Sequence, residues 1–361
     1  MKEYNIENIC VVRSSKRIFA SQYTNKGIPF FRGKEITQLS SNQTIDNILY
    51  ISNEAYKNIM QSGIPHINDI LITAVGTIGS VWLVDTEEPF YFKDGNIIWL
   101  SNLDKNVVLP RYLKYYLCSS KFQAKIDEIS IGSSQKALTI DAVKKIKITL
   151  PILNDQQHIV DILGSIDDKI ENNEKKIKKI TDYTVLLIQK ECKPNTELKA
   201  FIKFIKGKKP IENGVSTAPY LSIEAITTAN YSQEYSDGMV MAETYDILMV
   251  MDGASSGTVF SHQNGIVAST LAKIETPANI NDYLYWYLLS MKDIIKLRNT
   301  GSAIPHANKD FIGSLLFDYS QATDKNLTEE LHRLRENIYN IQKENIKLNE
   351  LKQLYLQKFF G

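Results

Sequence analysis

The strongest constraint on the fold of this chain is that its sequence repeats itself once. Five pairs of segments recur in the same order in the two halves: 27–36 with 217–226, 68–84 with 245–261, 110–119 with 281–290, 130–148 with 299–317, and 162–190 with 331–358. The paired segments lie about 170–190 residues apart, which is too long a period for a solenoid of short stacked repeats. The sequence therefore predicts two similar units, each a mixed α/β region followed by a long helix.

The repeated motifs predict the same local structure in each unit. Residues 68–84 and 245–261 both contain Asp-Ile-Leu, an apolar run, a turn rich in small residues and a second short run, which is typical of two strands joined by a turn. Residues 110–119 and 281–290 share a Tyr-Leu-x-x-Tyr-Leu spacing, which places aromatic side chains on one face of a helix. We therefore expect each of these motifs twice.

Each half ends in a long heptad pattern. In the first copy Asn154 is placed to cap the helix, with Gln157 as its capping-box partner. Apolar residues then follow at the spacings of four and three that define a coiled-coil seam, namely Ile159, Leu163, Ile166, Ile170, Ile177, Ile180 and Leu187, and in the second copy Leu331, Leu334, Ile338, Ile341 and Leu348. Asn173 and Asn345 also fall in this seam.

The two long helices are the obvious partners for each other, because a helix with so narrow an apolar seam is not stable alone. We expect them to pair antiparallel, with each buried Leu or Ile contributing about 1.5–3 kcal/mol. The alternative is an ordinary amphipathic helix packed on its own domain. The predicted fold class is α+β, a pseudo-two-fold tandem repeat of two mixed α/β domains, 1–150 and 194–320, with two spacer helices, 151–193 and 321–361.

Composition excludes several kinds of protein. The net charge is only +1, although residues 1–150 carry 18 basic and 14 acidic residues, while residues 194–320 carry 10 and 13. The three cysteines are an odd number without a CxxC spacing, and the histidines are scattered, so neither a disulfide framework nor a metal site is predicted. No apolar run is long enough for a membrane span and no signal peptide is evident. We expect a cytoplasmic protein.

The junction between the first domain and its helix resembles that of type I restriction–modification specificity subunits. The resemblance lies within residues 148–170, in Pro151, Gln156, Gln157, Ile159, Leu163, Asp167 and Ile170. Residues 27–36, 68–84 and 132–139 also resemble the first target-recognition domain of that family. The second copy departs from the pattern, because residues 317–330 lack the Pro-x-x-Gln-Gln step and Ile304 replaces Gln135.

This resemblance implies a protein that reads DNA and catalyses nothing. Each target-recognition domain would read one half of a bipartite, interrupted site in double-stranded DNA. The helices would bind two methyltransferase subunits, and restriction subunits can join that core. S-adenosylmethionine, ATP and magnesium would belong to those partners, with no cofactor on this chain. The alternative is a coiled-coil adaptor whose globular units bind proteins and have no specific affinity for DNA.

A search for catalytic motifs supports the expectation that the chain is not an enzyme. There is no Pro-Pro step for an amino-methyltransferase loop. The glycines near Lys34 do not have P-loop spacing. Acidic and basic residues around Asp167 and Glu174 lie on the predicted helix, where a solvated face is the simpler interpretation. We predict no catalytic residues.

Polar and basic side chains of the predicted loops are the candidates for contact with DNA. Base edges are read by polar side chains, whereas phosphate contacts fix the register of the protein. The candidate base readers are Thr77, Ser80, Ser133, Ser134, Gln135 and Lys136, and the candidate phosphate contacts are Arg13, Lys16, Arg17, Arg32 and Lys34 in the first unit with Lys206, Lys208 and Lys209 in the second. The alternative for each is an ordinary solvated loop residue. The similar positions of 14–19 and 206–211 in their units favour the contact interpretation for the basic clusters.

Overall fold

The computed structural model describes residues 1–41, 43, 45, 47–132, 136–190, 193–301 and 304–361. The chain forms two units. Unit 1 contains Met1–Lys169 and Asn349–Gly361, and unit 2 contains Ile170–Leu348. Each unit thus combines a mixed α/β region with parts of two long helices.

Unit 1 begins with ten short strands and five short helices. The strands are β1 (Lys2–Asn5), β2 (Val11–Arg13), β3 (Tyr23–Thr24), β4 (Ile28–Phe31), β5 (Leu49–Ile51), β6 (Ile70–Thr73), β7 (Val81–Leu83), β8 (Tyr91–Phe92), β9 (Ile97–Ser101) and β10 (Lys147–Leu150). The helices are α1 (Gly33–Ser40), α2 (Asn53–Met60), α3 (Pro110–Cys118), α4 (Ser120–Ile129) and α5 (Ile140–Lys144), and the long helix α6 (Leu153–Gln189) follows. The predicted strand–turn–strand is β6–β7, and the predicted aromatic helix is α3.

Three sheets organise unit 1. One has the order β2-β9-β6-β7, another β3-β5-β4-β8, and β1 pairs with β10. Strands β6 and β9 pair antiparallel, whereas β4 and β8 are parallel. Every residue of β6 and β9 is buried, because both faces of this central pair are covered. That explains why these strands are continuous apolar runs without alternation.

Unit 2 repeats this inventory. Its strands are β11 (Thr196–Glu197), β12 (Lys203–Lys206), β13 (Thr217–Leu221), β14 (Gln233–Tyr235), β15 (Met241–Ala242), β16 (Ile247–Val250), β17 (Val259–Phe260), β18 (Gly265–Val267), β19 (Leu271–Glu275) and β20 (Leu316–Phe317). Its helices are α7 (Ile223–Thr228), α8 (Asn281–Ser290), α9 (Lys292–Leu297), α10 (Lys309–Ser314), α11 (Tyr319–Ala322) and the long α12 (Lys325–Phe360).

The sheet topology of unit 2 matches that of unit 1. The order β12-β19-β16-β17 corresponds to β2-β9-β6-β7, and β11 pairs with β20 as β1 does with β10. The parallel pair of β13 and β18 corresponds to β4 and β8. The remaining four-stranded sheets differ at both edges: β15 joins β18 in unit 2, where β8 is the edge strand of unit 1, and β3 joins β5 in unit 1, where β14 is the edge strand of unit 2. The repeat in the sequence is therefore a repeat in the fold.

The first turn of α6 contains Gln156, whose side chain hydrogen-bonds to backbone groups. The Gln156 side chain is fully buried. Its Nε2 donates to the carbonyls of Val107 and Pro151, both at 2.9 Å, and its Oε1 accepts from the Leu109 amide at 2.9 Å. These bonds fix the end of β10 and the start of α3 against the first turn of α6. Gln156 is thus a structural residue of the junction.

The predicted helix cap is wrong. Helix α6 begins at Leu153, so Asn154 lies inside the first turn and cannot cap it. The Gln157 amide donates to Asp161 Oδ1 at 2.7 Å instead of returning to a cap residue. Ile152 separates Pro151 from the first helical residue, and the Gln156 side chain fixes this junction by bonding to backbone groups outside the helix.

The two long helices run antiparallel within unit 2. Asn173 Nδ2 donates to Asn345 Oδ1 at 2.7 Å, and Tyr183 donates to Glu330 Oε1 at 2.9 Å, so rising numbers on α6 meet falling numbers on α12. The predicted seam residues are buried or half-buried in their own units, with Leu331 completely buried. Asn173 is 1% exposed and Asn345 is half-buried, so the seam contains a polar pair.

We expect the Asn173–Asn345 pair to show strong energetic coupling. Asn173→Leu removes an amide that also bonds Glu344 at 2.8 Å and should lower the free energy of unfolding by about 1–2 kcal/mol. Adding Asn345→Leu should recover this loss, because the two leucines pack in the seam. A double-mutant cycle from urea unfolding should give a coupling energy of about 1–3 kcal/mol. Asn172→Leu, on an exposed position, is the matched control, and additive effects of the seam variants would contradict the pairing.

No helix among the described residues combines the length and the apolar character needed to cross a bilayer.

Candidate nucleic-acid interface

In unit 1 the turn after β6 lies beside the loop before α5. Ala137 forms isolated β-bridges with both Val75 and Ile131, and the Leu138 amide donates to the Ala74 carbonyl at 2.9 Å. These bonds join segments that are more than sixty residues apart in the sequence. We call this pairing of turn and loop the turn–loop site of unit 1.

The turn–loop site brings together two sets of predicted base readers. Thr77 is exposed on the turn and Lys136 is exposed in the loop. Ser133, Ser134 and Gln135 lie outside the described residues. All of these assignments therefore stay predictions, but the turn and the loop that carry them share one location.

Ser80 has a structural partner. Its hydroxyl lies 3.1 Å from the Thr37 hydroxyl of α1, and its amide donates to Thr73 Oγ1 at 2.9 Å. The Thr73 hydroxyl in turn donates to the Thr77 carbonyl. Helix α1 is thereby fastened to the turn, so Ser80 positions this turn whether or not it also contacts DNA.

The start of α1 holds an ion pair with its acidic partner completely buried. Arg32 donates from Nη2 to Glu35 Oε1 at 2.6 Å and from Nε to Oε2 at 3.1 Å. Burial alone would raise the pKa of Glu35, but the hydrogen bonds from Arg32 outweigh it and hold this pKa below its ordinary value. Glu35 is therefore ionised at neutral pH, and two of the five N–H donors of the Arg32 guanidinium bond to it inside the fold. Lys34, next to it, is exposed.

The first basic cluster contains one residue that is packed and two that are exposed. The Arg13 guanidinium lies 3.7 Å from the centre of the Trp99 ring, in a cation–π contact. Arg17 pairs with Asp94 at 3.1 Å but keeps 69% of its side chain exposed, and Lys16 is exposed. Lys16 and Arg17 are thus better placed than Arg13 to reach a phosphate.

The second basic cluster follows the equivalent edge strand in unit 2. Strand β12 ends at Lys206, as β2 ends at Arg13, and each is the first strand of its four-stranded sheet. Lys206, Lys208 and Lys209 are exposed, although Lys208 Nζ donates to the Gly238 carbonyl at 2.8 Å. The correspondence of the two clusters, inferred from sequence, holds in three dimensions.

Sequence reasoning missed two residues beside the second cluster. Asp252 accepts from Lys206 Nζ at 3.0 Å and contacts His306 Nδ1 at 2.7 Å. Burial alone would raise the pKa of Asp252, but the bonds from His306 and Lys206 hold it below its ordinary value. The sequence analysis did not single out Asp252. Asp252 aligns with Val75 in the repeat, and a carboxylate at the position of an apolar residue was the signal that could have identified it.

The chemistry offered by these side chains is hydrogen bonding and positive charge. Within the part of the chain that the structure describes, no three His, Cys, Asp or Glu side chains lie close enough to hold a metal ion. Exposed lysine, arginine, threonine and histidine side chains around backbone-fixed loops are suited to contact with an anionic polymer that presents hydrogen-bonding edges.

The first half of the chain matches a family of known proteins. Residues 1–182 match the model of the type I restriction modification DNA specificity domain. A Haemophilus influenzae type I restriction enzyme specificity subunit is 34% identical over 172 residues, which is 46% of this chain and 40% of that protein. The type I restriction enzyme MjaVIII specificity subunit of Methanocaldococcus jannaschii is 31% identical over 169 residues, or 44% and 40%. The chain thus spans about 40% of the length of these curated relatives.

A solved structure shares the fold across both units. The S subunit of a type I restriction-modification system from M. genitalium has a TM-score of 0.56 at 17% identity, with 100% of this chain and 96% of that chain covered. This likeness confirms the predicted α+β class with two similar mixed units and two long antiparallel helices. Since the matched family model spans just over half of the sequence, the chain belongs to the type I restriction modification DNA specificity domain family.

Proposed function

We propose that this chain is the DNA-recognition subunit of a type I restriction–modification complex, in which each unit reads one half of a bipartite, interrupted duplex site. The observation that carries the proposal is the repetition of one surface. Both units have an edge strand followed by exposed cations, β2 and β12, and both fasten a loop to the turn after a fully buried strand, β6 and β16. Rigid strands that hold variable loops are a common basis of recognition.

The partner subunits are part of the same proposal. The long helices would bind two methyltransferase subunits, and restriction subunits would join them. Tyr183 and Leu186 are 50% and 67% exposed one turn apart on α6, and Leu351 and Leu354 are 41% and 63% exposed one turn apart on α12. Exposed apolar side chains that neighbour one another support a protein-binding role for each helix. S-adenosylmethionine, ATP and magnesium would be bound by the partners, in the cytoplasm, and this chain would perform no catalysis.

The salt dependence of DNA binding tests the proposal. The six exposed cations of the two basic clusters and α1 are Lys16, Arg17, Lys34, Lys206, Lys208 and Lys209. If all six contact phosphates, a plot of log K against log salt for the purified full chain and duplex DNA should have a slope of about −5. Changing Lys16 and Arg17 to Gln should reduce the slope by about two.

The second measurement concerns sequence. Selection from a library of randomised duplexes should return two conserved half-sites separated by unconstrained positions. Binding that is insensitive to salt, with no sequence preference, would favour the protein-binding adaptor instead. Methyl transfer or cleavage by the purified chain alone would contradict the non-catalytic role.

A further inference from the structure

The turn–loop site of unit 1 has a backbone counterpart in unit 2. The Ala307 amide donates to the Met251 carbonyl at 2.8 Å, as the Leu138 amide donates to the Ala74 carbonyl at 2.9 Å. Met251 directly follows β16, and Ala74 directly follows β6. The two loops are therefore fastened to equivalent strands by equivalent bonds.

The residues next to these bonds differ in chemistry between the units. In unit 1 the bridge joins Val75 to Ala137, whereas in unit 2 it joins Asp252 to His306. A second bridge links His306 to Thr300, as Ala137 is linked to Ile131 in unit 1. An apolar Val–Ala pair in unit 1 thus corresponds to an Asp–His pair at the same backbone position in unit 2.

The Asp–His pair reaches the surface. His306 Nδ1 lies 2.7 Å from one Asp252 oxygen, and Lys206 Nζ lies 3.0 Å from the other. The side chains of His306 and Lys206 are 49% and 53% exposed, while that of Asp252 is 25% exposed. Asp252 therefore lies beneath two outward-reaching side chains and holds both of them.

The ionisation of Asp252 determines how His306 can bond. An ionised carboxylate only accepts hydrogen bonds, so the proton in the 2.7 Å contact is on Nδ1 of the imidazole. Nε2 is then an acceptor when the ring is neutral and a donor when it is cationic. A neutral His306 could accept from an exocyclic amino group of a base, and a cationic one could donate to a purine N7 or O6.

We propose that Asp252, His306 and Lys206 form the DNA-contact site of unit 2, in which His306 reads a base edge and Lys206 binds a neighbouring phosphate. Asp252 is a positioning residue that orients both. The proposal rests on the proposed function and adds the residues of the second half-site.

The test is selection from a library of randomised duplexes with the full chain and its variants. His306→Ala should keep the half-site read by unit 1 and lose about tenfold or more of the discrimination at one or more base pairs of the other half-site. Asp252→Asn should weaken the same preference. Lys206→Met should weaken binding to all sequences and reduce the salt slope by about one.

His66→Ala is the matched control, because His66 is exposed but precedes β6, at the end of that strand opposite the turn. It should leave both half-sites unchanged. Thermal unfolding is recorded for every variant, and His306→Gln, which keeps an amide donor for Asp252, replaces His306→Ala if the latter unfolds early. Unchanged preference at both half-sites, or equal loss at both, would overturn the assignment. Absence of any sequence preference in the wild-type chain would instead overturn the proposed function.

Discussion

Replacing Arg335 with Met should lower the free energy of unfolding of unit 2 by about 3–5 kcal/mol, because it removes a buried guanidinium that pairs with Asp282 and bonds to three further groups. The Arg335 side chain is 1% exposed and lies 3.0 Å from Asp282 Oδ1. Its guanidinium also donates to Asn281 Oδ1 at 2.7 Å, to the Tyr245 carbonyl at 2.9 Å and to Ser261 Oγ at 3.1 Å. One side chain on α12 thus holds three segments of unit 2.

Arg335→Lys should recover little of this loss. An ammonium group keeps the charge, but it lacks the planar fork that serves partners in several directions. Hydrogen exchange measured peptide by peptide separates unit 2 from unit 1, and urea unfolding gives the free energy. Arg333→Ala is the control. Arg333 is 75% exposed and its ion pair with Glu329 is long, at 4.0 Å. This substitution should therefore change the free energy of unfolding by less than about 0.5 kcal/mol. A midpoint for Arg335→Met equal to that of the wild type would contradict the assigned role.

Gly207→Ala should also destabilise unit 2 strongly, by about 3 kcal/mol or more. A Cβ at this position would lie 2.2 Å from the Ala268 carbonyl oxygen and 2.3 Å from that of Val267. Both contacts are with backbone, which cannot rotate away as a side chain can, so the strand end must move. The same movement should displace Lys206 and Lys208, and DNA affinity should fall with stability.

Gly238→Ala separates this steric effect from the general cost of losing a glycine. Gly238 has a φ of +67°, and nothing lies within 4 Å of its added Cβ. The cost should be only about 1 kcal/mol, from the left-handed backbone conformation. Urea unfolding of both variants provides the comparison. Equal losses would show that the close approach at Gly207 is relieved without cost.

The helices and the duplication could be predicted from the sequence because both are local patterns. The heptad spacing from Ile159 onward depends only on neighbouring residues, and the repeat is visible as matched segments. The start of α6 was misplaced, because the helix begins at Leu153, before Asn154, and its junction is fixed by bonds from Gln156 to backbone groups distant in the sequence. Arg335 looks like a solvated residue of an amphipathic helix. It is buried because the globular part of unit 2 packs on that face, which no helical periodicity reveals.

Part of the candidate site could also be predicted from the sequence, because the basic clusters are short local patterns. The structure places them at the ends of equivalent strands, β2 and β12. The pairing of Asp252 with His306 spans 54 residues and depends on sheet topology, so neither residue attracts notice alone. Arg13 was recognisable as a cation, but its stacking on Trp99 required knowledge of how β2 and β9 pair.

The polar pair in the helix seam does not follow the duplication. Leu163 aligns with Leu331, and at that offset Asn173 aligns with Ile341 and Asn345 with Ile177. If α6 met the α6 of another molecule in this register, each Asn173 would face Ile177, and two buried amides would each lose a bond at about 1–3 kcal/mol apiece. The amide pair therefore favours pairing of the unlike helices α6 and α12 over pairing of two α6 helices from different molecules.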